Sequence, residues 1–260
     1  MSAKHTTNRG RPIIVSEYGD WEYYSCPAGG YYPPENSSRQ QRANGERCLL
    51  TQARNFQEAH NKNLSMRVFG DGIWVMFDYN RGYHPDIESS GIMDIFRLPK
   101  FAYYFFRSQR DPDEHSSCAA CGPMVRIATY WISLSPLDIT IYSNCADVSL
   151  TLNGRRVQGI ADTGGISDRL RHKPFLFHVD AFEPGILWAE AQIDGQTAAV
   201  HEVRTPGQPE RIDIEIDLSG RPLRADGSDV VFVHARIVDA AGTLAPDARQ
   251  PGALHDNRSG

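Results

Sequence analysis

The sequence predicts a multi-domain protein in which an α/β segment is followed by all-β segments. Between residues 10 and 110, strand-like and helix-like stretches alternate, which is typical of parallel α/β architecture. From about residue 124 the pattern changes to short strands separated by polar turns, as in β-sandwich domains. The 260 residues leave room for about two domains of ~100–200 residues each.

The α/β segment is predicted to contain two strands and two helices. Residues 11–16 and 67–77 are apolar runs without alternation, as expected for fully buried strands. Pro99 suits the first turn of the second helix, which continues through Phe105. The first helix is predicted over residues 45–63 from four positions that share one helical face: Leu49, Ala53, Phe56 and His60.

Two all-β regions are predicted, a β-sandwich over residues 123–206 and an incomplete β domain over residues 207–260. Asn153-Gly154 and Asp194-Gly195 are typical of tight hairpin turns. The predicted strands are 125–131, 137–142, 148–152, 175–179, 186–193, 198–204, 212–218 and 230–238.

Both ends of the chain are expected to be incomplete domains. Residues 1–112 contain only two strands, and a two-stranded parallel sheet can neither bury both of its faces nor protect its edges. Residues 207–260 are about half of what an immunoglobulin-like sandwich needs. We therefore expect a fragment of a larger protein, whose missing strands come from a preceding segment, a partner chain or a second copy.

Composition excludes several kinds of partner. The formal net charge is −5, and without a long basic run nothing predicts nucleic-acid binding. Apolar runs are far shorter than the ~18–20 residues that span a bilayer, and residues 13–15 are too short for a signal-peptide core. Cys118 and Cys121 have metal-like spacing but lack a second close pair, so we predict no metal or cofactor. The compartment stays open.

The residues with the chemistry of a sugar site follow the two predicted strands. Glu17 comes directly after the first strand, where barrel enzymes carry catalytic groups. Aromatic residues are frequent between positions 18 and 32, and Trp74 and Asp78 follow the core of the second strand. An aromatic face stacks on the apolar face of a pyranose, and carboxylates bond its hydroxyls. A solvated acid beside aromatics that merely cover the strand ends is the alternative.

Several motifs resemble glycoside hydrolase family 2, in particular its bacterial β-galactosidase-like members. PIIVSEYGDW at residues 12–21 resembles the nucleophile strand, and GDGIWVMFDYN at residues 70–80 resembles the final barrel strand. The sandwich domain that follows the barrel is similar to IYSNCADVSLTLNGRRV at residues 141–157. The start of the next, immunoglobulin-like domain resembles GSDVVFVHARIVDAAGT at residues 227–243. The resemblance thus implies the last two strands and helices of a (β/α)8 barrel followed by β-sandwich domains.

The resemblance also implies a chemistry. Glu17 would be the nucleophile of a retaining hydrolysis of β-glycosides, with Tyr18, Trp74 and Asp78 near the substrate. The general acid/base of the family lies in an Asn-Glu pair upstream of the nucleophile, and this sequence has no counterpart, so we expect the chain alone to be inactive. The alternative is a non-catalytic β-sandwich module that binds carbohydrate or a protein partner.

Overall fold

A computed structural model describes residues 12–19, 42–66, 68–80, 82, 87–113, 121–161, 165–218, 220, 222–224 and 226–248. The chain divides into two compact units, Met1–Arg204 and Thr205–Gly260. No helix within the described residues is both long and apolar enough to cross a membrane.

The described residues of the first unit form two α-helices, and both were predicted. Helix α1 spans Glu46–Ser65 after a 3-10 turn at Arg42–Asn44, and helix α2 spans Phe101–Ser108. The two helices pack together around an apolar cluster that includes the fully buried Phe56 and Phe105. Lys100 is the N-cap of α2, so Pro99 precedes the helix instead of lying in its first turn.

A short parallel sheet takes the place of the two long buried strands predicted from the sequence. Strand β1 (Ile14–Val15) pairs in parallel with strand β2 (Gly70–Asp71). The predicted burial is wrong for Ile14, whose exposed fraction is 65%. A parallel sheet buries its strands only where helices or neighbouring strands cover both faces, and this two-stranded sheet leaves Ile14 uncovered. Between β2 and α2 the described residues pair only through isolated bridges, such as Phe77 with Met93.

The remainder of the first unit is a β-sandwich of two four-stranded antiparallel sheets. One sheet has the strand order β3-β4-β8-β7 and the other the order β10-β9-β5-β6. Their strands are β3 (Val125–Ile127), β4 (Asp138–Ser143), β5 (Asp147–Leu152), β6 (Arg155–Arg156), β7 (Gln158–Ile160), β8 (Phe175–His178), β9 (Ile186–Ile193) and β10 (Gln196–Arg204). Ile139 and Ile141 from one sheet pack in a single core with Leu150 and Leu187 from the other.

Both predicted hairpin turns are present. Asn153 and Gly154 have φ angles of 51° and 78°, and Asp194 and Gly195 have φ angles of 51° and 76°. Positive φ at both central residues is the geometry of a type I′ turn, which matches the right-handed twist of the flanking strands. Asn, Asp and Gly tolerate this conformation, and these residue pairs therefore predicted both hairpin turns correctly.

The second unit contains one antiparallel pair, β11 (Arg211–Asp217) with β12 (Phe232–Val238). Ile212, Ile214 and Ile216 of β11 are each 44–57% exposed. Within the described residues of this unit the pair has no third strand. The predicted strands at 212–218 and 230–238 are therefore confirmed to within two residues.

Candidate active site

The carboxyl end of β1 carries Glu17, and backbone hydrogen bonds hold this end against the segment that follows β2. Phe69 N donates to Ile13 O at 2.7 Å, Gly72 N donates to Val15 O at 2.9 Å, and Trp74 N donates to Tyr18 O at 2.8 Å. The two segments thus run side by side beyond the short strands. This pairing brings Tyr18 and Trp74, two of the predicted site residues, next to each other. Glu17 directly precedes Tyr18, and its side chain is exposed.

A polar cluster beside the end of β1 fixes the position of Tyr18. His60 Nδ1, on α1, lies 2.8 Å from Asp71 Oδ2 and 3.2 Å from the Tyr18 hydroxyl. Asn63 Nδ2 donates to the same Asp71 oxygen at 3.2 Å. With a proton on Nδ1, His60 donates to Asp71, and the Tyr18 hydroxyl lies beside the same ring nitrogen. Asp71 therefore connects β1, β2 and α1.

The protonation states of this cluster favour its hydrogen bonds. Burial raises the pKa of the Tyr18 hydroxyl, and the charge of Asp71 raises it further, so the hydroxyl keeps its proton. Burial also acts to raise the pKa of Asp71, but hydrogen bonds from His60 and Asn63 outweigh it and lower that pKa. Asp71 is thus ionised at neutral pH and accepts from His60 and Asn63.

Aromatic packing holds the same end of β1 against α1. The rings of Tyr18 and Phe56 meet edge to face with centroids 6.1 Å apart. Gly19 has a φ of 103°, and a Cβ built there would lie 1.9 Å from Phe56 Cε1. Only glycine therefore fits between the end of β1 and the Phe56 ring. Because Gly19 lies two residues from Glu17, the contact of Gly19 with the Phe56 ring also restricts the backbone position of Glu17.

Trp74 lies half-buried beside the end of β1. Its ring meets Tyr79 edge to face, with centroids 6.2 Å apart, and the Trp74–Val75 peptide bond is cis. Tyr79 is itself exposed at 36%. The geometry therefore leaves an aromatic pair near the backbone of Tyr18, in the position where a sugar ring could stack.

Asp78 is buried and engaged with protein groups. Its Oδ1 accepts from Lys100 Nζ at 2.8 Å and from Gly91 N at 2.9 Å, and Lys100 Nζ also donates to Ser89 O at 2.8 Å. The side chains of Asp78 and Lys100 are 4% and 0% exposed. Burial raises the pKa of Asp78 to about 6 although Lys100 opposes the rise, and burial lowers the pKa of Lys100. Contact of Asp78 with a substrate stays a prediction.

The structure unites three of the four predicted site residues and adds three more. Glu17, Tyr18 and Trp74 share the end of the β1–β2 sheet, whereas Asp78 pairs with Lys100 beyond it. The aromatic-rich segment at 20–41 lies outside the described residues. His60 was placed on the inward helix face by its spacing, but its polar role was missed, as were those of Asn63 and Asp71. Among the described residues no group of His, Cys, Asp and Glu side chains is arranged to hold a metal ion.

Relatives of known class align with most of this chain. The chain is 32% identical over 223 residues to a β-galactosidase of Thermoanaerobacter pseudethanolicus, which covers 78% of this chain and 29% of the relative. It is 28% identical over 250 residues to a β-glucuronidase of Formosa agariphila, covering 92% of this chain and 24% of the relative. No protein-family model matches the chain. The chain thus spans less than a third of the length of these relatives.

Solved structures give the same assignment. A β-glucuronidase from glycoside hydrolase family 2 superposes with a TM-score of 0.61 at 25% identity, covering 91% of this chain and 24% of that structure. A β-glycosidase from Bacteroides vulgatus shares the fold over 73% of this chain, with a TM-score of 0.58 and 21% identity. By sequence and by fold, the chain therefore belongs to glycoside hydrolase family 2.

Proposed function

We propose that this chain forms the nucleophile side of a retaining β-glycosidase site, with Glu17 as the nucleophile. The observation that carries the proposal is the position of Glu17 at the carboxyl end of a parallel strand, exposed, and beside Tyr18 and Trp74. Catalytic residues of barrel enzymes project from this end of the strands. The β1–β2 pair and helices α1 and α2 would be the last part of a (β/α)8 barrel, and β3–β10 the sandwich domain after it. The domain ranges 1–112, 123–206 and 207–260 belong to this proposal.

The general acid/base is proposed to come from outside this chain. In retaining enzymes the second carboxyl group lies ~5–5.5 Å from the nucleophile. Two described carboxylates near the sheet end are already bonded, Asp71 to His60 and Asn63, and Asp78 to Lys100. These bonds support structural roles for both. The chain alone should therefore show little or no turnover of an aryl β-galactoside, because proton transfer contributes about 10²–10⁴-fold to such rates.

A chimera tests the proposal. The homologous segment of the Thermoanaerobacter β-galactosidase is replaced by this chain, which restores the rest of a barrel around Glu17. We expect retaining turnover from the chimera, loss of turnover in Glu17→Gln, and a covalent adduct on Glu17 after treatment with a 2-deoxy-2-fluoro glycoside. Glu58→Gln is the matched control, since Glu58 is an exposed carboxylate on α1. An adduct on another residue, or an active Glu17→Gln chimera, would contradict the assignment.

The alternative function is a non-catalytic β-sandwich module that binds carbohydrate or a protein partner. The same chimera separates the two. A module would leave the chimera without turnover although it folds, and the Glu17→Gln substitution would change nothing that can be measured. Folding of the chimera is checked independently by tryptophan fluorescence and by gel filtration.

A further inference from the structure

A cavity opens at one edge of the β-sandwich, apart from the Glu17 site. Strand β6 is the last strand of one sheet and β7 the last strand of the other, and the chain crosses between the sheets at Val157. The cavity at this crossing has a volume of about 840 Å³ and lies between the β6–β7 segment and residues 171–177. This volume is within the range of about 300–1,000 Å³ that is common for small-molecule sites.

The charges that line this cavity are all basic, although the protein is acidic as a whole. The described residues that line it include no Asp or Glu; its charged members are Arg156, Arg171 and Lys173, and His172 and Cys145 are its other titratable residues. Asp111, outside the lining, bonds His172 Nε2 at 3.0 Å and also pairs with Arg171. Three permanent cations thus face one carboxylate, and Arg156 and Lys173 remain exposed. The cavity therefore favours an anionic ligand.

Apolar and backbone groups complete the cavity. Phe175, which is half-buried, and Ile160 of the outer strand β7, which is 42% exposed, contribute apolar surface, whereas Phe177 is buried in the sandwich core. Among the described residues, β6 and β7 are sheet edges, so backbone N–H and C=O groups on their outer sides have no strand partner within that part of the chain. Apolar surface beside unpaired backbone donors and acceptors suits a sugar, whose ring has C–H faces and hydroxyl edges.

We propose that this cavity binds an oligosaccharide that carries carboxylate or sulfate groups. Arg156 and Lys173 contact the anionic groups, and the apolar surface of Phe175 and Ile160 contacts the sugar rings. The site is independent of the chemistry proposed for Glu17, because Glu17 does not line the cavity. It would retain a charged polysaccharide on the protein while another part of the same polymer occupies a catalytic cleft.

Calorimetric titration of the full chain tests this proposal with four probes: an oligoglucuronate, a sulfated galactan oligosaccharide, a neutral galacto-oligosaccharide and inorganic sulfate. We expect at least one charged oligosaccharide to bind, and its affinity to fall with rising salt because screening weakens the contacts. The two charged probes distinguish carboxylate from sulfate recognition. The Arg156→Ala/Lys173→Ala variant should bind about tenfold more weakly, equivalent to about 1.4 kcal/mol. Glu17→Gln should bind like the parent protein.

A matched variant excludes a general effect of net charge. Lys62→Ala/Arg169→Ala removes two exposed cations outside the cavity and should leave binding unchanged. The proposal is overturned if no charged oligosaccharide binds, or if the neutral oligosaccharide binds equally well. It is also overturned if inorganic sulfate matches the oligosaccharides, or if the control variant weakens binding as much as the cavity variant.

Discussion

Replacing Lys100 with methionine tests the buried charge pair that lies next to the candidate site. The substitution keeps most of the apolar stem but leaves the Asp78 carboxylate, 4% exposed, with only the Gly91 N–H as a described donor to Oδ1. Even with Lys100 present, burial raises the pKa of Asp78 from 3.8 to about 6, which corresponds to about 3 kcal/mol. Breaking a buried pair by removing one partner costs about 3–5 kcal/mol.

The loss in Lys100→Met should depend on pH in a defined direction. Because the folded-state pKa of Asp78 lies above its unfolded value, its contribution to stability is full below about pH 4 and is lost as pH rises through about 6. Without Lys100 the carboxyl can relieve its burial only by taking up a proton. We therefore expect a loss of about 3–5 kcal/mol at pH 8 and a clearly smaller loss at pH 5.

Urea unfolding followed by tryptophan fluorescence measures this effect within the first unit, because all four tryptophans lie before Thr205. The double variant Asp78→Asn/Lys100→Met removes both charges and should recover most of the lost stability at pH 8. Lys62→Met, at an exposed position of α1, is the control and should stay within about 0.5 kcal/mol of the parent. An equal loss at pH 5 and pH 8, or no recovery in the double variant, would refute the reasoning.

Three further predictions concern other parts of the first unit. Burial, together with the charge of Arg126, lowers the pKa of His201 to about 3. The contribution of neutral His201 to folding stability is therefore full above about pH 6.5 and is lost on acidification. His201→Gln should remove this part of the pH dependence, so that stability falls less steeply towards acid pH. Gly19→Ala should destabilise the fold by at least ~1–2 kcal/mol from the positive φ alone, and its clash with the Phe56 ring should add a further loss. Combining it with Phe56→Ala should recover part of that further loss, because the clash is then removed. If the stability losses of the two single variants simply add in the double variant, this reasoning is contradicted. Leu150→Ala, at a fully buried position between the sheets, should cost about 2–5 kcal/mol in urea unfolding, and a loss below 1 kcal/mol would contradict the packing.

The sandwich was largely predictable because its longer strands each carry a local signal. Alternating residues such as Ile139 and Ile141 face one core, and the Asn153-Gly154 and Asp194-Gly195 pairs set turns whose φ angles are positive as the sequence requires. Strand β7 was missed because it has three residues, all exposed, and therefore carries no apolar pattern. A strand held only by its pairing with β8 leaves no trace in periodicity.

The α/β segment was less predictable, because its burial depends on contacts between residues that lie far apart in the sequence. Apolar runs predicted two long buried strands, but only Ile14–Val15 and Gly70–Asp71 pair, and Ile14 is exposed. An apolar run shows what a strand could bury and carries no information about whether a neighbour is there to cover it. Helix α1 was predicted to within two residues at each end, since its 3.6-residue period is internal to the segment.

The candidate site shows the same division between local and distant signals. The sequence singled out Glu17, because a carboxylate directly after an apolar strand is a local pattern, but it could not show what fixes the neighbouring Tyr18. That role belongs to Asp71, which lies 53 residues from Tyr18 in the sequence. It accepts hydrogen bonds from His60 and Asn63 on α1, and His60 in turn contacts the Tyr18 hydroxyl. A polar cluster of this kind, whose hydrogen bonds require specific partners, restricts the position of a strand end more than apolar contacts do. The end of β1 is therefore anchored to α1 and β2, and such an anchor is what the role proposed for Glu17 requires before any substrate is bound.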